Sequence, residues 1–542
     1  MLEDKDLLSV QEVRTKVEKA WAAWQKYRTY SQEQVDAIVE RMAAAARANA
    51  RRLAELAVEE TGYGNAKDKY IKNILNCDWL PRRMRGMKTV GVLRELPEEK
   101  IVEIGVPLGV VAAVLPTTNP TSTAMYKSLI SLKAGNAIVI SPHPRAYKCT
   151  CQTAQILYQA ALEAGAPEDI IQCVEMCTME GIQALMRHER TAVILATGGH
   201  AMVKSAYSSG KPAFGVGPGN VPVLIDTSAD LEDAIAKIVA GKSFDYGTVC
   251  SSEQAIVAEY SLRDRIVALL KQHKAYFCDE AQKEALGKLL IQPNWTVNPQ
   301  CVGQAPTKIA KMAGFSVPED TSIICCEIEG VGKKYPLSAE KLSPVLSLIF
   351  VSDFNAALDT SFGLLKFGGA GHTAVIYSKN DARTREFGMR MPAMRCLVNT
   401  PAPQGSTGIT TNVFPAMTLG CGAMAGNSTS DNVGPQHLIN IKRLAYTVRT
   451  PEQAFEMPLD YTKAPTSDAG STISRADVVS AVERYLASKG IAVSAAASSS
   501  GGSCGCSTPA PAKSGVVSSL AADVVDKFLA QRGGSKSSGG YS

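Results

Sequence analysis

The chain has 542 residues, of which 45% are hydrophobic, and its 57 basic and 52 acidic side chains leave a small net charge of +5. This composition is typical of a soluble globular protein of about two to four domains, and the absence of a long basic run excludes nucleic acid as an implied partner. No apolar run approaches the ~18 residues of a membrane span, and the charged N-terminus does not resemble a secretory signal. We therefore expect a cytoplasmic protein without a membrane partner.

The 14 cysteines are scattered along the chain. In a reducing cytoplasm most of them are expected to act as small core residues rather than to form disulfides. Neither Cys149-Thr150-Cys151 nor Cys325-Cys326 has zinc-type spacing with a second pair, so we expect no metal centre.

The N-terminal region has the apolar periodicity of two amphipathic helices. Ser9 with Glu12, and Ser31 with Gln34, have the spacing of capping boxes at the two helix starts. Residues 88–106 then predict a two-stranded ribbon. Such a ribbon either pairs with another subunit or forms an internal hairpin.

Short apolar runs alternate with helical stretches from residue 109 to 225, which favours an α/β fold with a parallel sheet covered on both faces. The predicted strands are 110–114, 137–140, 170–174, 192–196 and 221–225. We expect 1–231 to form a dinucleotide-binding domain, with 88–106 as its oligomerisation ribbon, and 232–428 to form an α/β catalytic domain. Residues 429–464 would return to the cofactor domain or form an oligomerisation segment.

The composition changes sharply after residue 465. Residues 491–517 are rich in Ala, Ser, Gly and Pro, which predicts a flexible linker. Two similar segments flank it, Ala476-Asp477-Val478-Val479 and Ala522-Asp523-Val524-Val525, and each begins a short amphipathic helix. Helices this short need a surface on which to bury their apolar face. We therefore expect 465–542 to bind a partner, or one helix to pack on the catalytic domain.

Cys250 lies between a helix-like segment that breaks at Gly247 and a strand-like run. This placement predicts an exposed thiol on a loop, where a nucleophile can reach a substrate. Asn119 follows the first predicted buried strand, where parallel sheets place ligands. Its amide can donate to a developing oxyanion together with the backbone N–H of Cys250. Alternatively, Asn119 forms an Asx turn before Pro120.

Thr197-Gly198-Gly199 follows another predicted strand and opens a helix. Its backbone N–H groups are therefore candidates to approach a phosphate or a nicotinamide. A Gly-Gly pair after a strand is also a common turn, and the chain has no complete Gly-x-Gly-x-x-Gly fingerprint in the right context. The dinucleotide assignment therefore cannot depend on that motif.

Several separate segments, in order between residues 10 and 450, resemble the CoA-acylating aldehyde dehydrogenases. They are Glu60-Thr61-Gly62-Tyr63-Gly64, Ser141-Pro142-His143-Pro144-Arg145-Ala146, Gly371-His372-Thr373, Leu419-Gly420-Cys421-Gly422 and Asn432-Val433-Gly434-Pro435-Gln436-His437-Leu438-Ile439-Asn440. The segment from Phe214 to Pro222 is similar to the Glu-Leu-Gly-Gly-Lys segment of hydrolytic aldehyde dehydrogenases. Val216, however, stands where their glutamate would be.

The resemblance implies an aldehyde dehydrogenase-like fold with Cys250 as the nucleophile and Asn119 as the oxyanion donor. His372 would contact CoA or the active site, or would be a packed structural histidine. NAD is the implied cofactor. NADP stays open, because Ser141 replaces the lysine that grips the adenosine ribose and Pro144 replaces a nearby glutamate. The residues expected to bind the cofactor are Thr117, Thr118, Ser141, Pro142, His143, Thr197, Gly198, Gly199, Gly217 and Glu340.

Without a carboxylate at Val216 to activate water, the acyl group is expected to leave to the thiol of coenzyme A. A thiol is already partly ionised at neutral pH and is intrinsically nucleophilic. The expected reaction is reversible oxidation of acetaldehyde or propionaldehyde to acyl-CoA. The alternatives are a hydrolytic aldehyde dehydrogenase and a non-catalytic scaffold. The resemblance also implies a homodimer or homotetramer in the lumen of a bacterial microcompartment, bound to shell or core proteins through the C-terminal helices.

Overall fold

A computed structural model describes residues 4–455, 480–482 and 484. The chain divides into two units, Met1–Tyr446 and Thr447–Ser542. The predicted tail segments 476–479 and 522–525 and the linker 491–517 lie outside the described residues.

The α-helices, in chain order, are α1 (Lys5–Tyr27), α2 (Gln32–Thr61), α3 (Ala66–Ile74), α4 (Leu80–Met84), α5 (Pro120–Lys133), α6 (Tyr147–Glu163), α7 (Met179–Arg187), α8 (His200–Tyr207), α9 (Leu231–Ser243), α10 (Arg263–Gln272), α11 (Glu280–Leu290), α12 (Pro306–Met312), α13 (Phe354–Gly368), α14 (Asp381–Arg390), α15 (Ala402–Ser406) and, in the second unit, α16 (Pro451–Ala454). The strands are β1 (Gly91–Leu96), β2 (Ile101–Pro107), β3 (Val110–Val114), β4 (Ala137–Ser141), β5 (Ile171–Cys173), β6 (Thr191–Thr197), β7 (Ala213–Val216), β8 (Val221–Ile225), β9 (Glu253–Glu259), β10 (Ala275–Phe277), β11 (Ile323–Glu327), β12 (Val345–Val351), β13 (Gly371–Tyr377), β14 (Ala393–Val398) and β15 (Ile439–Ala445).

The two predicted N-terminal helices are present, but only one begins at its predicted cap. The Asp4 carboxylate accepts hydrogen bonds from two first-turn amides and starts α1. Ser9, predicted as a cap with Glu12, lies inside α1 and donates to a backbone carbonyl of the preceding turn. The capping box at α2 is confirmed, because Ser31 and Gln34 accept from each other's backbone N–H groups.

The predicted ribbon is an internal hairpin. Strands β1 and β2 pair antiparallel, and β15 pairs antiparallel with the other edge of β2. Glu103 on β2 accepts from Arg94 on β1 at 2.6 Å and forms an ion pair with Arg443 on β15 at 2.9 Å. Pairing of this ribbon with another subunit stays a prediction.

The first parallel sheet has the order β5-β4-β3-β6-β7. It confirms four of the five predicted strands. The fifth, β8, lies in another sheet, because Gly217-Pro218-Gly219 ends the edge strand β7 and carries the chain away. From β3 the strands β4 and β5 follow on one side, whereas β6 and β7 follow on the other side. The strand order therefore reverses between β3 and β6, and sheets of this kind bind ligands at such a switch point.

The second parallel sheet has the order β10-β11-β12-β9-β8-β13-β14. Alternate residues of its central strands face opposite apolar layers, with Ile256 of β9 packed in the cluster that includes α9 and α10 and Val257 in the cluster that includes α13. Strand β9, which follows Cys250, lies at the centre of this order. The domain division at residue 231 stays a prediction, while the sheets themselves change between β7 and β8.

No helix among the described residues combines the length and the apolar character that crossing a bilayer requires. Within that same part of the chain, no cluster of three or more His, Cys, Asp or Glu side chains has the arrangement of a metal site.

Candidate active site

Four loops meet at the edge where the adjacent strands β12, β9, β8 and β13 begin. Glu340 precedes β12, Cys250 precedes β9, Gly219 precedes β8, and His372 is the second residue of β13. Because the four strands are parallel neighbours, their first residues lie at the same edge of the sheet. These four residues are therefore brought together although they are far apart in sequence.

Cys250 lies in the predicted loop, but its thiol is half-buried rather than exposed. The loop is preceded by three consecutive residues with left-handed backbone: Asp245 (φ 47°), Tyr246 (φ 51°) and Gly247 (φ 73°). A Cβ at Gly247 would lie 2.7 Å from the carbonyl oxygen of Ser343, so only glycine fits there. Strained backbone of this kind persists where surrounding contacts determine it, and it is common at functional sites.

His372 is fully buried, and its Nε2 atom lies 3.2 Å from the sulfur of Cys250. Its Nδ1 atom lies 3.0 Å from the hydroxyl of Thr373, which also accepts from Arg395. Since a hydroxyl both donates and accepts, either neutral tautomer of His372 fits this arrangement. His372 is thus both a packed residue and a direct neighbour of the candidate nucleophile.

Burial and the nearby Arg395 guanidinium lower the pKa of His372 to about 3. The imidazole is therefore neutral at physiological pH. Burial, and secondly the Glu340 carboxylate, raise the pKa of Cys250 to about 12. In the free protein Cys250 is consequently a protonated thiol that can hydrogen-bond to a neutral histidine.

Gly219 fills the narrow space between the other members of the site. A Cβ at this position would collide with the carbonyl oxygen of Cys250 and lie 3.1 Å from Cγ of His372. The N–H of Gly219 donates to Oε1 of Glu340 at 3.0 Å. Burial raises the pKa of Glu340 to about 8, although this hydrogen bond and two buried lysines act in the opposite direction.

Asn119 lies in the loop between β3 and α5, immediately before the first residue of α5, and is 9% exposed. Its side chain makes no capping hydrogen bond to the first turn of α5. Instead, Oδ1 accepts from Nζ of Lys72 at 2.6 Å, and Nδ2 donates to the hydroxyl of Thr118 at 3.0 Å. The Asx turn, the alternative interpretation of this asparagine, is therefore absent.

The Lys72 contact belongs to a buried ionic network that sequence reasoning missed. Lys69 and Lys72 of α3 both pair with the Asp245 carboxylate. This carboxylate also accepts from the hydroxyl of Thr248 at 2.6 Å and from the backbone N–H of Asn65 at 2.8 Å. The two lysines stand three positions apart and therefore lie on one helix face. Two lysines at that spacing, close after the Glu60–Gly64 motif, were the feature of the sequence that could have indicated this network.

Apart from Glu340, which precedes β12 of the second sheet, the residues predicted to bind a cofactor lie at the carboxyl ends of strands of the first sheet or in the loops that follow them. Thr117 and Thr118 follow β3, Pro142 and His143 follow β4, and Gly198 and Gly199 follow β6. Thr197 ends β6, and Gly217 follows β7. Thr118 contacts the network near Cys250, because its hydroxyl accepts from Asn119 and its backbone carbonyl accepts from Lys69.

Three observations fit a bound dinucleotide at these loops. The hydroxyl of Ser141, at the end of β4, is buried and has no hydrogen-bond partner among the described residues. Gly199 precedes α8 without a side-chain cap, and a Cβ there would meet nothing within 4 Å, so there is open space beside the start of α8, an end of a helix that favours an anion. The partly buried Glu340 carboxylate makes its one protein hydrogen bond in the described residues to Gly219, which leaves its second oxygen for a ribose hydroxyl.

Val216 ends β7, is 3% exposed, and pairs in register with Thr197. A buried apolar side chain therefore occupies the position at which the resemblance to the hydrolytic enzymes predicts a glutamate. The site retains a thiol, an oriented amide and a neutral imidazole.

Comparison with known proteins relates this geometry to a family. The model of the aldehyde dehydrogenase family matches residues 6–410, which include Asn119, Cys250, Glu340 and His372. The bifunctional aldehyde-alcohol dehydrogenase of Escherichia coli K12 is 45% identical over 443 residues, covering 81% of this chain and 50% of that protein. The chain thus spans about half the length of the curated relatives it matches first.

Two solved structures share the fold. An acetylating aldehyde dehydrogenase from Geobacillus thermoglucosidasius is 47% identical, with a TM-score of 0.82 over 85% of this chain and 100% of the other. A propionaldehyde dehydrogenase from the fucose utilisation microcompartment of Clostridium phytofermentans is 28% identical, with a TM-score of 0.72 over 80% and 97%. The predicted aldehyde dehydrogenase-like fold is confirmed, and the chain belongs to the aldehyde dehydrogenase family.

Proposed function

We propose that the protein is a CoA-acylating aldehyde dehydrogenase, which oxidises a short-chain aldehyde to acyl-CoA and catalyses the reverse reaction. The observation that carries the proposal is the combination of Cys250, 3.2 Å from His372, with a buried valine at position 216. A thiol nucleophile without a carboxylate to activate water favours transfer of the acyl group to a second thiol. The acetylating relative from Geobacillus supports this acceptor.

In the proposed reaction the Cys250 thiol loses its proton to solvent, and its sulfur adds to the aldehyde carbonyl carbon. The resulting oxyanion receives hydrogen bonds from Nδ2–H of Asn119 and from the backbone N–H of Cys250. A bound nicotinamide dinucleotide would supply the hydride acceptor, so that the aldehyde C–H bond breaks, the carbonyl re-forms and an acyl thioester is left on Cys250. The CoA sulfur then attacks the thioester carbon, the Cys250 sulfur leaves, and the proton of the CoA thiol passes to the Cys250 sulfur. Each thioester is exchanged for another, so the step is reversible.

The neutral imidazole of His372 stays hydrogen-bonded to the Cys250 sulfur throughout this reaction. With a pKa of about 3, it cannot store a proton as a stable cation near neutral pH. Its proposed role is therefore to orient the sulfur and to stabilise the anionic form of the sulfur by donating a hydrogen bond to it. We also propose that His372 contacts CoA.

The proposed cofactor is NAD. Ser141, Pro142 and His143 would hold its adenosine end, Thr197, Gly198 and Gly199 its phosphates, and Glu340 its nicotinamide ribose. Thr117, Thr118 and Gly217 complete this set. The buried, unpartnered Ser141 hydroxyl supports a ribose contact. A preference between NAD and NADP is a matter for direct measurement with the two cofactors.

We further propose acetaldehyde or propionaldehyde as the substrate, and the lumen of a bacterial microcompartment as the location. The microcompartment relative from Clostridium phytofermentans supports both suggestions. The proposed partners are shell or core proteins, bound by the C-terminal segment 465–542. A homodimer or homotetramer assembled through the 88–106 ribbon is the proposed quaternary state.

The test is formation of reduced nicotinamide from acetaldehyde and propionaldehyde, measured with and without CoA. The proposal expects turnover that requires CoA and yields acyl-CoA. Equal turnover without CoA, with carboxylic acid as the product, would identify a hydrolytic enzyme. No turnover with any aldehyde or cofactor would favour a scaffold.

A further inference from the structure

Lys72 connects the two loops that carry the proposed reaction. Its side chain is 4% exposed, and its ammonium donates to Oδ1 of Asn119 at 2.6 Å, to the hydroxyl of Thr248 at 2.9 Å and to the carboxylate of Asp245. Asn119 follows β3 of the first sheet, whereas Thr248 lies two residues before Cys250. One buried cation therefore joins the loop of the oxyanion donor to the loop of the nucleophile.

The ammonium also determines which way the Asn119 amide faces. A lysine ammonium has three donors and no acceptor. If the amide were turned over, its NH₂ group would meet the ammonium, and two buried donors would face each other without an acceptor. The observed orientation places Oδ1 against Lys72 and leaves Nδ2 with one hydrogen on Thr118 and one free to bind an oxyanion.

The network around this contact is itself fixed. Asp245 and Thr248 are buried. Asp245 has a left-handed backbone, and its carboxylate accepts hydrogen bonds from four groups: the two lysine ammonium groups, the Thr248 hydroxyl and the backbone N–H of Asn65. Opposite charge stabilises the ionised carboxylate, so the pKa of Asp245 is lowered in spite of its burial. The position of the Lys72 ammonium is thus set by an anion that belongs to the Cys250 loop.

We propose that Lys72 is a positioning residue for catalysis, which fixes the orientation and the placement of the Asn119 carboxamide relative to Cys250. The inference rests on the proposed roles of Asn119 and Cys250. Lys72 touches neither substrate nor cofactor in this scheme and acts through Asn119.

The chain offers a matched control in Lys69. This lysine is equally buried and pairs with the same Asp245 carboxylate at 3.1 Å, but its other acceptor is the backbone carbonyl of Thr118. A role that only neutralises Asp245 would be shared by both lysines. A role in orienting the Asn119 amide belongs to Lys72 alone.

The experiment is a double-mutant cycle on the full-length enzyme. Lys72→Met, Lys69→Met and Asn119→Ala are made singly, and each lysine variant is combined with Asn119→Ala. We expect Lys72→Met to lower kcat by on the order of 10²-fold, as loss of an oxyanion donor does. In the Asn119→Ala background it should cost about twofold or less, because the group through which it acts is gone. The loss in Lys69→Met should be smaller and should multiply with that of Asn119→Ala.

Two further readouts distinguish positioning from general damage to the loop. The KM for the dinucleotide and the rate of Cys250 alkylation by iodoacetamide should be unchanged in Lys72→Met, since neither needs the oxyanion donor. Multiplicative losses in the Lys72 cycle, or a fall in alkylation that accounts for the loss in kcat, would overturn the inference.

Other outcomes are also decisive. If Asn119→Ala retains the wild-type rate, the oxyanion assignment in the proposed function fails, which is a different result from multiplicative losses. If Lys72→Met does not fold, the same cycle is run with Lys72→Gln, whose shorter amide stays polar beside Asp245 but does not reach Asn119. If Lys72→Gln lowers kcat in the wild type but not in the Asn119→Ala background, the inference is supported. If the losses in kcat from the two substitutions multiply, the inference is overturned.

Discussion

The sulfur of Cys250 lies 3.2 Å from Nε2 of His372. Both residues lie at the edge where strands β9 and β13 begin, on either side of Gly219. Burial favours the neutral form of each, with the pKa of the thiol raised to about 12 and that of the imidazole lowered to about 3. This is a thiol–imidazole pair at rest, not a thiolate–imidazolium pair.

Cys250→Ala should abolish acyl-CoA formation while leaving the fold intact, because the change removes one half-buried sulfur and the proposed nucleophile. Acyl-CoA yield and the melting temperature are measured together. Cys396→Ala, which removes a half-buried thiol from β14, is the control and should retain activity. Substantial turnover by folded Cys250→Ala would refute the assignment.

Val216→Glu should introduce some CoA-independent production of carboxylic acid, since it places a carboxylate where the hydrolytic enzymes that the sequence resembles carry theirs. Acid yield without CoA is the measurement. Val216→Gln has a similar shape but no base, and it should produce no acid. If well-folded Val216→Glu also produces none, exclusion of water rather than the missing base determines the acyl acceptor.

His372 predicts a pH dependence of stability. Its pKa is lowered from an ordinary value of about 6.5 to about 3, so between these values the unfolded chain binds a proton that the folded protein does not. Stability is therefore lost as the pH falls below about 6.5, by at most about 1.4 kcal/mol per pH unit from this residue. The melting temperature of the wild type should fall more steeply from pH 7 to pH 5 than that of His372→Gln. Parallel curves for the two proteins would contradict the neutral histidine.

Gly219→Ala should reduce activity strongly and lower the melting temperature. The added methyl group would collide with the carbonyl oxygen of Cys250 and press against His372, and backbone atoms cannot move aside at low cost. Gly388→Ala is the control, because a Cβ at that position in α14 would meet nothing within 4 Å. Full activity in Gly219→Ala would show that the edge of the sheet is looser than these contacts indicate.

The sequence predicted the parts of the fold that local patterns encode. Alternating apolar runs predicted β3, β4, β5 and β6 as a parallel sheet, and Ser31 with Gln34 predicted the start of α2. The membership of β8 in the second sheet was missed, because a buried run of apolar residues has the same pattern in either sheet.

For the site, the sequence predicted individual residues better than their relations. Cys250 and Asn119 were proposed from loop positions and from the family resemblance. Their connection through Lys72 was not predicted: the spacing of Lys69 and Lys72 places both on one helix face, but it does not identify their partner Asp245, which is distant in the chain. The thiol was expected to be exposed, but the neighbouring loops at the sheet edge cover part of it.

The C-terminal segment 465–542 gives the last prediction, which follows from the sequence alone. An Ala, Ser and Gly-rich linker separates two Ala-Asp-Val-Val segments, each followed by apolar residues at helical spacing. A tethered amphipathic helix gains stability by placing its apolar face in the groove of a partner. Deletion of 465–542 should therefore leave kcat unchanged while abolishing recruitment to a microcompartment, a location that would confine a reactive aldehyde.

Fluorescent proteins fused to 515–542 and to 465–542, in cells that make the matching shell, measure recruitment directly. A fusion in which Val524 and Val525 are replaced by Asp is the control and should remain diffuse. Diffuse fluorescence from both unmodified fusions would refute targeting by this segment, whereas a loss of kcat on deletion would show that it supports the catalytic unit instead.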